Sequence, residues 1–197
     1  MKPRWAHCSE EQLVEACGRG DGDALGELFD RHHQAVYRFL SRLAGPDRSD
    51  LDDLVQETFV RVARGANRFE RRAAARSWIF AIAGHAAVDH IRTEARRRDL
   101  LRSSVIDLPA ASERPDQRTE GREELARFRK ALDKLPHDLR VTYVMCELED
   151  TPGKDAAAVL GVPEGTIWRR LHDARRILRE AMDDTSFPKK EATNDRI

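Results

Sequence analysis

Cysteine, chain-breaking residues and long apolar runs are all scarce in this sequence, and each scarcity removes a class of protein. Three cysteines, Cys8, Cys17 and Cys146, stand far apart in 197 residues. They form no disulfide framework and no C-x-x-C pair, which points to a reducing compartment. Eleven Gly and eight Pro are too few for an all-β chain with a turn every few residues. No run of about 18 apolar residues occurs, so neither a membrane-spanning helix nor membrane insertion is expected. The opening Met1-Lys-Pro-Arg-Trp5 lacks the apolar stretch of a signal peptide. The expected location is therefore the cytoplasm.

Catalytic signatures are missing too. The sequence holds no Gly-rich phosphate loop, nucleophile elbow or kinase signature. His32-His33, and His85 and His90 with Asp89, could suggest a metal-dependent enzyme, but His85 and His90 are five residues apart and do not share a helix face. His7-Cys8 with Cys17 is no better a zinc set. No catalytic residue, metal or cofactor is expected, and the chain reads as a non-enzyme.

What is present suits amphipathic helices. Charged residues make up 36% of the chain and apolar ones 40%, with a formal net charge of zero. The charge is unevenly spread. Acids crowd Asp47–Glu57 and Glu147–Asp155, and arginines crowd Arg92–Arg102 and Arg169–Arg179. Local fields govern contact with phosphate, so a neutral total with basic stripes is compatible with DNA binding.

The reading along the chain is all-α. Ser9-Glu-Glu-Gln12 is a capping box that opens a short helix ending near Gly18. From Ala24 to Leu43 apolar residues recur at steps of three and four, a helix ended by Gly45-Pro46. Ser49 is expected to cap a third helix with Leu51, Leu54, Val55, Phe59 and Val62 inward, stopping at Gly65. After an arginine-rich loop, Trp78, Ile79, Ile82, Ala86, Val88 and Ile91 line a fourth. Trp78 and Phe80 fall within this apolar period and are expected in the core. Residues 9–93 therefore form one four-helix bundle. Residues 94–122 are polar, with Pro109 and Pro115, and are expected to be a flexible linker. Residues 123–182 form a second small helical domain, with Leu125, Phe128, Leu132 and Leu135 on its first helix face. Residues 183–197 are expected to be a disordered tail.

The second domain contains a helix-turn-helix from Thr151 to about Met182. Thr151 is expected as N-cap with Pro152 at the first helical position. Ala156 and Ala157 are small enough for close helix crossing. Gly161 suits a left-handed turn residue, and Val162 plugs the gap. Ile167, Leu171, Ala174 and Leu178 form one buried stripe on the second helix. Its other face carries Glu164, Thr166, Trp168, Arg169, Arg170, His172, Arg175 and Arg176, a set suited to a major groove and its phosphates.

Four motifs stand in order along the chain. Asp52-Asp-Leu-Val-Gln-Glu-Thr-Phe-Val60 resembles region 2.2 of the sigma-70 family of RNA polymerase sigma factors. Arg76-Ser-Trp-Ile-Phe-Ala-Ile-Ala83, continuing to Val88-Asp-His-Ile-Arg92, resembles regions 2.3 and 2.4. Leu135-Pro-x-x-x-Arg140 and Ala156-Ala-x-x-Leu-Gly-Val-Pro-x-Gly-Thr-Ile167, followed by Arg170-Leu-x-x-Ala-Arg-x-x-Leu178, resemble region 4. With nothing resembling region 1.1 or region 3, the chain is similar to the extracytoplasmic-function (ECF) group.

The resemblance implies a factor that binds core RNA polymerase, recognises −35 and −10 promoter elements, melts the −10 DNA and directs initiation. It implies that Asp53, Leu54, Gln56, Glu57 and Phe59 lie against the clamp helices of the β′ subunit, and that region 4 meets the β flap. It implies −10 contacts from Asn67, Arg68, Arg71, Arg72, Arg76, His85, Asp89 and Arg92. Melting without ATP requires trapping an unstacked base while basic groups hold the displaced strand. It implies −35 contacts from the eight exposed recognition-helix residues, and an anti-sigma factor as a further partner. This chain departs from the usual pattern at Gly84-His85, Trp168-Arg169 and Asp173. The competing reading is a helix-turn-helix regulator acting independently of core polymerase. It accounts for residues 151–182 but not for Asp52–Val60 or Arg76–Arg92.

Overall fold

The computed structural model describes residues 4–5, 7–43, 50–103 and 120–183. They form eight α-helices, with no strand among the described residues. Four build an N-terminal bundle: α1 Glu10–Gly18, α2 Gly22–Leu43, α3 Leu51–Gly65 and α4 Ala75–Ser103. Ser9 caps α1 in the expected capping box, its hydroxyl accepting from the Gln12 N–H while the Gln12 side chain accepts from the Ser9 N–H. The apolar stripe of α2 is buried at Leu28, Val36, Phe39, Leu40 and Leu43. At the bundle centre Phe39 and Phe80 stack at 4.9 Å between ring centroids, both fully buried. Phe80 is thus a core residue, as its period requires. Trp78, half-buried, packs against Phe69 at 5.2 Å.

Two boundaries of the bundle differ from the sequence reading. Helix α3 begins after Asp50, which makes no side-chain cap, and Ser49, like Gly45-Pro46, lies outside the described residues. Helix α4 does not stop at residue 93. It runs on to Ser103, ten residues into the expected linker, because Glu94–Arg102 holds neither Gly nor Pro and its straight-chain residues are good helix formers. Residues 104–119 and 184–197, most of the rest of the expected linker and nearly all of the expected tail, lie outside the described residues, and residues 120–122 of that linker already belong to the next helix.

The C-terminal unit consists of α5 Glu120–Asp133, α6 His137–Tyr143, α7 Gly153–Leu160 and α8 Glu164–Asp183. Leu132 and Leu135 are buried against Ala174, Leu178 and Ala181 of α8, but Leu125 is exposed, being a turn beyond the end of that contact. Helix α6 widens into a π-helical turn, Val144–Leu148. The chain then reverses through Asp150, which takes a left-handed φ of 54° that aspartate tolerates better than most residues. Pro152, not Thr151, occupies the N-cap of α7. Thr151 is buried one residue earlier, its N–H donating to Met145 O at 2.9 Å.

Gly161 closes α7 with φ 66° and ψ 32°, the left-handed turn the sequence demands. A Cβ built there would meet nothing within 4 Å, so only the backbone penalty opposes a side chain. Gly161→Ala should therefore cost about 1 kcal/mol. The expected result is a thermal midpoint a few degrees lower, with the helical circular-dichroism signal at low temperature unchanged.

Candidate functional site

Three exposed surfaces follow from this architecture. The first is the outer face of α3. Leu54 and Phe59, 6% and 4% exposed, are core residues of the bundle. Their apolar period along α3 puts them on the same side as Leu51, Val55 and Val62. Asp53 and Gln56 are exposed, and Glu57 is half-buried in an ion pair with Arg61 at 2.8 Å. Beside them α2 and α3 enclose a groove of about 510 Å³, lined by Phe29, Tyr37, Arg38, Asp52 and Gln56 among others. The α2 side of this groove was not singled out from sequence. Tyr37 is exposed although it adjoins the apolar stripe, and that misfit is the signal that could have found it.

The second surface is the loop before α4 and the polar face of α4. Asn67, Arg68, Arg71, Arg72, His85, Asp89 and Arg92 are all exposed, and Arg76 is half-buried. Gly18 positions the loop. A Cβ on it would stand 3.0 Å from the Asn67 nitrogen, so only glycine lets the short 3-10 turn Ala66–Arg68 seat against α1. Arg71 takes a left-handed φ of 56° and pairs with Glu15 of α1. Arg61 donates to Asp89 at 2.7 Å, and this hydrogen bond holds the Asp89 carboxyl below its usual range. Asp89 is thus an ionised acceptor tied to α3. The Arg76 guanidinium lies 5.0 Å over the Phe80 ring.

The third surface is α8. Ile167, Leu171, Ala174 and Leu178 are buried as the stripe requires. Glu164, Arg169, His172 and Arg176 face outward, and Thr166 is half-buried. Arg170 pairs with Asp138 at 3.1 Å and Arg175 with Glu147 at 2.5 Å, so these two expected contact residues are held by acids from outside their own helix. Trp168 is 55% exposed and lies across Gly153, whose absent Cβ would sit 3.4 Å from the indole.

The two helical units meet. Val141, Val144, Met145 and Ala156 of the second share one apolar cluster with Phe39, Leu43 and Phe80 of the first. Polar contacts line the rim. Glu149, 6% exposed, accepts from Arg42 at 2.5 Å and from Arg76 at 2.9 Å. Ala74 N–H donates to Asp155 at 3.1 Å. Arg140 is buried and donates to Leu43 O at 3.1 Å and to both Asp133 Oδ1 and Asp133 O. Burial raises the Asp133 carboxyl and lowers the Arg140 guanidinium, so desolvation outweighs their attraction.

His137 is packed here against the Gly84 backbone. Burial lowers its pKa from 6.5 and nearby Arg140 and Arg92 add to that, opposed by the Gly84 hydrogen bond and Asp138. A lowered imidazole pKa means that the packed state binds fewer protons. Packing is therefore undisturbed above pH 6.5 and weakens as pH falls through and below it. The expected result is a lower thermal midpoint on going from pH 7.5 to 5.5, with the difference reduced in His137→Gln.

Burial pushes the Cys146 thiol up to about 11 and raises Cys17 also, so neither is an activated nucleophile. No group of three metal-ligating side chains converges among the described residues, and no described helix is long and apolar enough to cross a membrane.

Residues 28–97 match the family model for sigma-70 region 2, and residues 125–178 match that for sigma-70 region 4. The chain is 34% identical over 178 residues to the probable RNA polymerase sigma-C factor of Mycobacterium bovis, covering 86% of this chain and 91% of that one. It is 31% identical over 182 residues to the ECF RNA polymerase sigma factor SigE of Mycolicibacterium smegmatis, covering 89% and 70%. Among solved structures it is similar to CnrH in complex with the cytosolic domain of CnrY, with a TM-score of 0.63 and 28% identity over 90% of this chain and 99% of that one. It is also similar to the sigma factor RpoE in complex with the anti-sigma factor NepR from Bartonella quintana, with a TM-score of 0.62 and 25% identity over 80% and 96%.

Proposed function

The chain belongs to the ECF group of the sigma-70 family of RNA polymerase sigma factors, and from that premise we propose which of its surfaces carry each part of the work. As a member it binds core RNA polymerase, recognises −35 and −10 promoter elements, melts the −10 DNA and directs transcription initiation. The exposed acids of α3 and the adjoining α2–α3 groove take the β′ clamp helices. An acidic helix beside an apolar groove offers steering charge at the rim and apolar area at the centre. Asp53, Gln56 and Glu57 make the contact, while Leu54 and Phe59 hold the helix that presents them.

The loop from Asn67 to Arg72 and the α4 face of Arg76, His85 and Arg92 hold the non-template strand of the −10 element. Arginines near an irregular turn can follow a displaced backbone and stack on unpaired bases. Asp89, tied to Arg61, fixes the register of α4 against α3. Helix α8 enters the major groove at −35 with Arg169, His172 and Arg176 leading, and region 4 docks on the β flap. An anti-sigma factor is a regulatory partner, as in the complex that contains RpoE.

The observation that carries this reading is that a basic loop-and-helix surface and a basic recognition helix stand on one chain in the order of regions 2 and 4. Purified chain mixed with core polymerase and promoter templates tests it. Capture of core and promoter-specific run-off transcripts are expected. No binding to core at low salt would sink it.

A further inference from the structure

We propose that Trp168 reads the 5-methyl group of a thymine in the −35 element and is held in place for that contact by Gly153 of α7. This rests on the assignment of α8 as the −35 reader. A single exposed apolar side chain is ordinary on a protein surface. What singles this one out is its place. Trp168 stands one turn into α8, on a face whose other members, Glu164, Arg169, His172 and Arg176, are exposed and polar. It is 55% exposed, and the packing of α8 is already carried by Ile167 and Leu171, 0% and 2% exposed. The ring is nonetheless not free. Its six-membered edge lies over Gly153, the first residue of α7, where a Cβ would touch Cζ2 at 3.4 Å and Cε2 at 3.8 Å. One edge of the indole is thereby seated on the first helix of the motif, while the rest stays in solvent on the second.

The chemistry of the groove decides what the indole can meet. In a duplex the base faces are stacked away, so a side chain in the major groove meets base edges only. A G·C pair offers guanine acceptors to arginine and a cytosine amino group to a carboxylate, and Arg169, Arg176 and Glu164 suit those. An A·T pair is read by Asn or Gln against adenine, or by an apolar group against the thymine methyl. Helix α8 contains no Asn and no Gln. Thr166 is half-buried, so the exposed apolar group of its first two turns is the indole. That leaves the thymine methyl as the A·T feature this helix recognises, with Trp168 as the group that touches it. A ring already seated loses less freedom on contact than a mobile one, which makes Gly153 a positioning residue. Trp168-Arg169 is also where the chain departs from the usual family pattern, so the preference belongs to this chain rather than to the group.

The test uses holoenzyme reconstituted from the full chain and core polymerase, on a template that gives promoter-specific run-off. Its −35 element is randomised over about ten base pairs, one turn of duplex, and the transcribed templates are sequenced. The wild type should select thymine at one position or more, by at least about fivefold over each other base. Deoxyuridine there, which lacks the methyl, should lower affinity about fourfold, the worth of one buried methyl group. 5-Methylcytosine there should bind better than cytosine by a similar factor. Trp168→Ala should lose the thymine preference and the response to both modified bases, keeping the preferences at other positions. Trp168→Phe should retain part of the response. Gly153→Val, whose branched β-carbon displaces the ring, should lose it with Trp168 intact and helical circular dichroism retained. The proposal is overturned if no thymine is selected, if deoxyuridine has no effect at every selected thymine, or if Trp168→Ala weakens all templates alike. Should Gly153→Val fail to fold, or Trp168→Ala leave too little transcript to sequence, the deoxyuridine and Trp168→Phe arms decide. A wild type that gives no promoter-specific transcript overturns the sigma-factor reading and this contact with it. Preferences unmoved by Arg169→Ala combined with Arg176→Ala overturn α8 as the reader. Preferences moved by the arginines but not by Trp168→Ala overturn the thymine contact alone.

Discussion

Asp53→Lys combined with Gln56→Lys is expected to lower affinity for core polymerase by about a hundredfold, or roughly 2.7 kcal/mol, while leaving the fold intact. Both side chains are on the outer face of α3, so no cavity forms and no buried partner is orphaned. Asp53 is in the first turn of α3, where a negative charge suits the helix dipole. Reversing it costs a few tenths of a kcal/mol of stability, small beside the binding loss. The loss itself comes from like charge against a basic partner surface, which both slows encounter and leaves unpaired charge at the contact. The control is Leu54→Ala on the next residue. It removes a buried side chain and should cost 2–5 kcal/mol of stability, so its effect on binding follows unfolding. Titration of labelled core with each variant, beside thermal melts, separates the two. Unchanged core affinity in the double lysine variant would place the polymerase contact elsewhere.

Arg169→Ala combined with Arg176→Ala should spare core capture and remove promoter use. Both guanidinium groups are on the outward face of α8, and among the described residues Arg176 pairs with an exposed i,i+4 partner, Glu180, at 3.1 Å. Such a pair is worth little and gives way to phosphate. Loss of one bidentate base contact costs about 1–3 kcal/mol, and loss of one phosphate contact lowers the salt dependence of binding by about one unit of slope. Promoter-specific run-off should fall by at least about tenfold, and the slope of log affinity against log salt should become shallower. Arg170 and Arg175 are a poorer choice for this test. Their pairing with Asp138 and Glu147 means that truncation would also disturb packing within the unit.

The difference between these arginines was not legible in the sequence. Spacing along α8 separates a buried stripe from an exposed face, and Ile167, Leu171, Ala174 and Leu178 are indeed inside. It does not show that acids from α6 and the turn after it reach two of the exposed arginines, because those partners are about 28 to 32 residues away in the chain. Leu54 and Phe59 show the opposite case. Their period along α3 already placed them inward, and both are buried there. Asp89 is similar, since its tie to Arg61 joins two helices whose relative rotation no single-helix pattern contains.

Local rules were enough for the parts that depend on neighbours in the chain: the capping box at Ser9, the left-handed Gly161, the apolar stripes of α2 and α8, and the order of motifs that identifies the family. Hydrogen bonds of three or four residues' reach and a 3.6-residue period govern those features, and both are written in short stretches of sequence. Only the tertiary structure decided that the two units pack against each other, that Glu149 stands between Arg42 and Arg76, and that a Cβ on Gly84 would press on Val141 at 3.3 Å. These contacts join residues 57 to 107 positions apart. Their energy depends on which groups lose water together, and that is set by how whole helices dock rather than by any one of their sequences.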